Sequence, residues 1–292
     1  MKKILLTCPP MINRIKDYND LIKKYNFEIE IPIFKQTMNE EELCEIIHIY
    51  DGWIIGDDPA TRKVFEQGKK GNLKAAVKWG VGTDNVDFDA CKKLGIPITN
   101  TPGMFGNEVS DVAIGMMLNL SRKLHEIDRD VRKGSWLKVA GASTANKKVG
   151  IVGFGDIGKA IGRKLKAFEM NVVAYDPGAA SEYDIPLLTF PKDVAELDYL
   201  FLACALNKST YHLIDEKILA MLKKTCFVVN VSRGPLINQA HLVEALKNNK
   251  IAGAGLDVFE IEPLPKQSPL TEMPNVFFGS HNGSNTKEAV DN

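Results

Sequence analysis

Three side chains in the second half of the chain have the types needed to hold a small acid and move a proton on it: Arg233, Glu262 and His281. A guanidinium stays charged at any working pH and grips a carboxylate through two parallel hydrogen bonds. An imidazole can take or return a hydroxyl proton near neutrality. A carboxylate beside that imidazole fixes its tautomer and favours the charged ring. Each of the three follows an apolar run: Arg233 comes after Asn230-Val231-Ser232, Glu262 after Gly255-Leu256-Asp257-Val258-Phe259, and His281 after Phe277-Phe278-Gly279-Ser280. Taken singly, an arginine after a strand is usually a surface ion-pair partner, and a glutamate before a proline is usually solvated. Their joint position at strand ends of a nucleotide fold, where ligands bind, favours chemistry. The other histidines (His48, His125, His212, His241) lie in helical segments or polar turns and read as surface or packing groups.

The nucleotide fold is announced by Gly153-x-Gly155-x-x-Gly158, which stands between an apolar run from Lys148 and an amphipathic segment carrying Ile157, Ala160, Ile161, Leu165 and Phe168. A second apolar run, residues 171–175, ends on Asp176, eighteen residues beyond Gly158. Strand, glycine turn, helix, strand and acid each have a task in holding a dinucleotide. Gly153 permits the tight turn, Gly155 lets the backbone approach the pyrophosphate, and Gly158 lets helix and strand pack closely. The helix start offers N–H groups and partial positive charge to the phosphates. Asp176 can accept hydrogen bonds from the ribose hydroxyls, and its charge repels a 2′-phosphate, which selects NAD over NADP. With Arg233, Glu262 and His281 beside it, this suits hydride transfer between a hydroxy acid and a nicotinamide.

The elements that must position these groups follow from the alternation of apolar runs and helical patterns. Strands are expected at residues 3–7, 28–34, 53–56, 73–79 and 96–100 in the first part. In the second they are expected at 149–153, 172–176, 199–205, 227–231, 254–258 and 276–279. Helices are expected at 39–49 and 87–94, the first capped by Asn39 and the second ended by Gly95, with later ones capped by Asp215 and Asn238. Alternation of this kind implies parallel sheets with helices on both faces. Between the two parts, apolar residues keep a three-four spacing from Asn107 to Gly134, which predicts one helix longer than a small domain needs. That helix is either an interdomain core helix or a surface packed on a second subunit. A short helix starts at Thr286.

Composition narrows the class. The 292 residues suffice for two domains, and 45% apolar with 25% charged residues is ordinary for a globular protein. Lysine plus arginine number 37, as do aspartate plus glutamate, so no net field draws nucleic acid or an anionic membrane. Lys2-Lys3 and the apolar residues after them stop at Thr7 and Pro9-Pro10, too soon for a signal peptide. The longest apolar run, 199–206, is too short to span a bilayer. Five scattered cysteines (Cys8, Cys44, Cys91, Cys204, Cys226) without a C-x-x-C pair point to free thiols, no zinc or other metal site, and a cytoplasmic location.

Six motifs carry a family resemblance: Gly80-Val81-Gly82-Thr83-Asp84-Asn85-Val86-Asp87; Thr99-Asn100-Thr101-Pro102-Gly103; the glycine turn with Asp176; Asn230-Val231-Ser232-Arg233-Gly234; Leu256-Asp257-Val258-Phe259-Glu260-Ile261-Glu262-Pro263; and Ser280-His281-Asn282-Gly283. In this order, across nearly the whole chain, they resemble the D-isomer-specific 2-hydroxyacid dehydrogenases, in particular the phosphoglycerate dehydrogenase-like branch. The spacing of twenty-nine from Arg233 to Glu262 is also the family's.

The resemblance implies two doubly wound parallel-sheet α/β domains with a cleft between them. One is a flavodoxin-like substrate domain of residues 1–100 plus 285–292; the other is a Rossmann NAD-binding domain of residues 101–284. It implies that Arg233 holds the substrate carboxylate and polarises the keto oxygen, that His281 is the acid–base and that Glu262 is its partner. Backbone of Val81 and Gly82 would help bind the substrate. Asp156 and Ile157 would offer backbone to the pyrophosphate, with Val231, Ser232, Asp257 and Gly283 near the cofactor. A homodimer through the 107–134 helix region is implied as well.

The pattern departs from the family in three places. An Arg-Ser-x-Thr stretch after the third strand is replaced by Gly56-Asp57-Asp58-Pro59-Ala60-Thr61, and two aspartates there disfavour a phosphorylated substrate. A proline after the fourth strand of the cofactor domain is replaced in Ala203-Cys204-Ala205-Leu206. The final helix is short. Two rival readings are a non-catalytic NAD(H)-sensing protein resembling a corepressor, against which the intact Arg–Glu–His set argues, and a formate dehydrogenase relative, in which a glutamine would replace Glu262.

Overall fold

Short apolar runs alternating with amphipathic helices can bury both faces of a strand only in a parallel sheet covered on each side. The computed structural model, which describes residues 1–34 and 36–292, has two such sheets in two units, Met1–Met104 with Asn285–Asn292, and Phe105–Ser284.

In the first unit, β1 (Lys2–Leu6), β2 (Phe27–Glu30), β3 (Gly52–Ile55), β4 (Ala75–Lys78) and β5 (Ile98–Asn100) lie parallel in the order β2-β1-β3-β4-β5. The order reverses between β1 and β3, as in flavodoxin-like sheets. Asn39 caps the helix Glu40–Ile46 in a full capping box with Glu42, and Asp87 caps Phe88–Leu94, which ends on left-handed Gly95 at φ 64°. The core packs Leu5, Leu43, Trp53 and Phe65 between sheet and helices. β2 stops at Glu30, short of the expected 28–34 run. It is an edge strand paired only with β1, and Pro32, which lacks an N–H, limits its extension. The terminal helix Lys287–Asp291 belongs to this unit, with Ala289 and Val290 buried. Arg14 and Tyr18 donate hydrogen bonds of 2.8 and 2.6 Å to Asp291.

In the second unit, β6 (Lys148–Val152), β7 (Asn171–Tyr175), β8 (Tyr199–Leu202), β9 (Phe227–Asn230), β10 (Gly253–Leu256) and β11 (Val276–Phe278) form a parallel sheet in the order β11-β10-β9-β8-β6-β7. An isolated parallel bridge from Ala174 to Leu187 adds a rudimentary strand beyond β7. With it, the order becomes that of a dinucleotide-binding sheet extended by one strand.

The single long helix expected over 107–134 is two helices, Gly106–Arg122 and Leu124–Arg132. The break has a local cause. Lys123 is left-handed (φ 53°), and its N–H closes the first helix on the Asn119 carbonyl. The Ser121 carbonyl, which a continuous helix would bond to residue 125, instead accepts the Ala142 N–H at 2.8 Å. The Ser121 hydroxyl reaches back to the Met117 carbonyl and also pairs with the Tyr199 hydroxyl. Apolar periodicity continues through the break, but only the first helix buries its apolar face; Leu124 and Val131 of the second are exposed.

Candidate active site

The glycine turn after β6 has the geometry its residue types suggest. Gly153 sits at φ 90°, and a Cβ there would lie 2.5 Å from the Cys204 backbone. A Cβ on Gly158 would lie 2.0 Å from the Gly153 carbonyl oxygen, so strand and helix meet at backbone distance. At Gly155 a Cβ would meet nothing within 4 Å, which leaves open space where a pyrophosphate needs it. The helix Asp156–Ala167 starts there with no side chain capping it, so its first turn is suited to anion binding through Asp156 and Ile157 backbone. Asp176, at the end of β7, accepts hydrogen bonds from Phe154 N–H at 2.8 Å and Gly178 N–H at 2.9 Å. These bonds aim the carboxylate along the turn and leave it lone pairs for ribose hydroxyls. The residues present therefore fit a dinucleotide.

Arg233, Glu262 and His281 follow β9, β10 and β11, three adjacent strands in register (Asn230 opposite Leu256, Leu256 opposite Phe278). His281 Nδ1 and Glu262 Oε2 are 2.7 Å apart, each side chain 24% exposed. Glu262 is itself held, its other oxygen accepting the Phe259 N–H at 2.8 Å. The turn at His281 is left-handed (φ 55°), and its N–H donates to the Asp257 carbonyl at 2.7 Å. Asp257, 2% exposed, accepts Asn282 N–H at 3.1 Å and Gly283 N–H at 2.9 Å. Its carboxylate thus anchors the His281 turn, a part that spacing alone did not reveal.

The Arg233 turn is shaped by buried Asn230, whose amide donates to the Arg233 carbonyl at 2.8 Å and accepts the Ser232 N–H at 3.1 Å. Such side-chain bonding to nearby backbone is what asparagine does in turns, and it is the signal by which Asn230 could have been singled out. Val231 is buried, and the Ser232 hydroxyl ties this turn to the Cys204 carbonyl after β8. A Cβ at Gly234 would fall 1.9 Å from the Phe259 carbonyl carbon, so the Arg233 turn rests directly on the loop that carries Glu262.

In the first unit, Val81 and Gly82 lie in the loop after β4. Thr101 Oγ1 accepts the Gly80 N–H at 2.8 Å and Asn100 Nδ2 donates to the Val81 carbonyl at 3.1 Å, which fixes the loop's start. The two aspartates after β3 part company. Asp58 is fully buried and accepts Met38 N–H at 2.9 Å; burial holds its carboxyl above the usual carboxylate range. Asp57 stays half exposed and pairs at 2.9 Å with Lys78, whose side chain is only 2% exposed. Of the two aspartates read as disfavouring a phosphorylated substrate, Asp58 is thus turned inward and Asp57 is matched by the Lys78 ammonium. Among the described residues there is no cluster of histidine, cysteine and acidic groups able to hold a metal ion, and no helix is long and apolar enough to cross a membrane.

Residues 114–283 match the model of the D-isomer specific 2-hydroxyacid dehydrogenase NAD binding domain. The chain belongs to this family. It is 36% identical over 274 residues to a glyoxylate reductase of Korarchaeum cryptofilum, with 90% of this chain and 82% of that protein aligned. It is 34% identical to a hydroxypyruvate reductase of Thermotoga maritima, covering 89% and 86% of the two chains. Among solved structures, the apo D-lactate dehydrogenase of Escherichia coli superposes with a TM-score of 0.85 at 31% identity, covering 99% of this chain and 92% of that one. The protein is thus an NAD-dependent D-2-hydroxyacid dehydrogenase with two parallel-sheet α/β domains, and the reading as a non-catalytic NAD(H) sensor gives way to that of an enzyme.

Proposed function

We propose that this dehydrogenase interconverts a small, unphosphorylated D-2-hydroxy acid and its 2-keto acid, with glyoxylate and hydroxypyruvate the foremost candidate keto acids. The observation that carries the assignment of the chemistry is the 2.7 Å His281–Glu262 pair at the C-terminal edge of the sheet that holds the glycine turn. With Nδ1 turned to Glu262, proton exchange with the substrate falls to Nε2. In reduction His281 gives that proton to the keto oxygen, and Glu262 stabilises the charged ring before it does so. Arg233 holds the carboxylate and polarises the keto group. NAD, when bound, supplies and accepts the hydride. The cofactor is held by Gly153, Gly155, Asp156, Ile157, Gly158 and Asp176 at its phosphate and ribose end. Val231, Ser232, Arg233, Asp257, His281 and Gly283 lie towards its nicotinamide.

The candidate substrates are those of the glyoxylate reductase and hydroxypyruvate reductase relatives, and the phosphorylated alternative is that of a D-3-phosphoglycerate dehydrogenase relative at 34% identity. A reduction screen of glyoxylate, hydroxypyruvate, 3-phosphohydroxypyruvate, pyruvate and branched 2-keto acids, followed by NADH absorbance, tests this. Preference for the phosphorylated compound would reject it. In the same assay His281→Ala should lose ~10²–10⁴-fold in rate, and full turnover would remove His281 from its role. The enzyme acts as a homodimer through the 107–134 helix region, a reading supported by exposed Leu124 and Val131. It works in the cytoplasm, as five free cysteines in the described residues suit.

A further inference from the structure

Glu260 and His212 have no part in the chemistry just described, yet they join the loops that carry it. Glu260 Oε1 lies 2.8 Å from His212 Nε2 and accepts the Gln239 N–H at 3.2 Å. Gln239 answers in kind, its side-chain oxygen accepting the Glu260 N–H at 3.3 Å. Asn238 Nδ2 stands 3.3 Å from His212 Nδ1. An amide NH₂ there makes Nδ1 the acceptor and places the ring proton on Nε2, aimed at Glu260. The backbone reinforces the pairing. His212 N–H donates to the Pro235 carbonyl at 2.8 Å, Ile214 N–H to Leu236 at 3.0 Å and Asn238 N–H to Ile214 at 3.0 Å. His212 adopts a left-handed φ of 52°, a conformation a histidine keeps only where its surroundings hold it.

The cross-brace therefore spans three loops: the one after β8, the one after β9 that carries Arg233, and the one after β10 that carries Glu262. Gln239 is six residues beyond Arg233 and Glu260 is two before Glu262, while Gly234 rests on the Phe259 backbone between them. The carboxylate also sits at the start of the helix Gln239–Lys247, where negative charge is favoured. We infer that Glu260 is a positioning residue that locks the Arg233 turn to the Glu262 loop, with His212 orienting it, so that the carboxylate grip and the acid–base pair keep one fixed separation. The inference rests on Arg233, Glu262 and His281 being the catalytic set. A misplacement near 1 Å at such a distance from the chemistry can cost ~10²-fold in rate.

Four variants of the full chain test this: Glu260→Ala, Glu260→Gln, His212→Gln and Arg233→Lys. Glu260→Ala should lower kcat/KM for the keto acid by about 10- to 100-fold. NADH affinity, read by fluorescence titration, should stay within roughly two-fold, because the glycine turn is untouched. Glu260→Gln keeps an acceptor oxygen and should recover most of the loss, whereas His212→Gln, which weakens the brace on one side only, should fall between. With NADH deuterated at the transferred position, the primary isotope effect on Glu260→Ala should rise, since the hydride step becomes slower than binding and release. Combined with Arg233→Lys, the loss should be less than the product of the two single losses. Should Glu260→Ala fail to fold, as circular dichroism would show, His212→Gln carries the same readouts. If Arg233→Lys disables the enzyme while the folded brace variants keep the parental kcat/KM and isotope effect, the brace has no positioning role. If Arg233→Lys itself keeps parental turnover, the catalytic assignment fails and the brace falls with it.

Discussion

Asp176 shows what one residue can decide. Its carboxylate is directed by the Phe154 and Gly178 amides, so it stands at the end of β7 with a fixed charge and spare acceptor capacity. A 2′-phosphate brought to that place would meet a like charge at a cost of several kcal/mol, a preference for NADH of about 100-fold or more in kcat/KM. Asp176→Ser should raise NADPH turnover relative to NADH by at least ten-fold, measured as the ratio of the two kcat/KM values at saturating keto acid. An unchanged ratio would mean that another group chooses the cofactor. Asp58 teaches the complementary lesson: identical in type and adjacent in sequence to Asp57, it is turned inward to the Met38 amide.

At the scale of elements, the edge strand β2 depends on a small polar cluster. Glu30 accepts hydrogen bonds from Lys3 at 2.7 Å and Tyr50 at 2.9 Å. The Lys3 ammonium, followed by the Tyr50 hydroxyl, holds the Glu30 carboxyl below the usual range, while burial first and the Glu30 bond second push the Tyr50 hydroxyl up to about 12. A depressed carboxyl adds stability above its unfolded value, about 4.3, and that stability is lost as pH falls through the folded value. Glu30→Gln should therefore lower the melting temperature at pH 7, by the small amount an exposed pair contributes. The difference from the parent should begin to shrink as pH falls below about 4.3 and close only below the folded value. Thermal melts taken stepwise from pH 7 into acid check this; a gap that stays constant throughout would place the effect in packing instead. The broken helix belongs to the same scale, since the carbonyl that decides its break is taken by a loop twenty-one residues away at Ala142.

For the whole molecule, the exposed apolar side chains between the two parts of the sequence mark the proposed subunit contact. Leu124 (48%) and Val131 (42%) are exposed in the single chain. In the proposed homodimer they pack against a second copy, so sedimentation should give twice the chain mass. Leu124→Glu combined with Val131→Glu should shift the protein to monomer without unfolding it. A monomeric parent would rule the interface out.

What the sequence by itself determined was the periodic and the local. Alternating apolar runs specify two parallel sheets. Gly153 and Gly158 mark a turn whose steric demands only glycine meets, and Asn39, Asp215 and Asn238 cap helices through short-range bonds. Arg233, Glu262 and His281 stood out because strand ends are where a doubly wound sheet presents its ligands. Tertiary structure decided everything that depends on partners distant in the chain. It broke the 107–134 pattern at Lys123, turned Asp58 inward, set Asp257 beneath the His281 turn, and brought His212 to Glu260 across forty-eight residues. Hydrophobic periodicity records which face is buried, but a carboxylate's role is set by the donors that surround it, and those are assembled only when the loops of neighbouring strands fold onto one another.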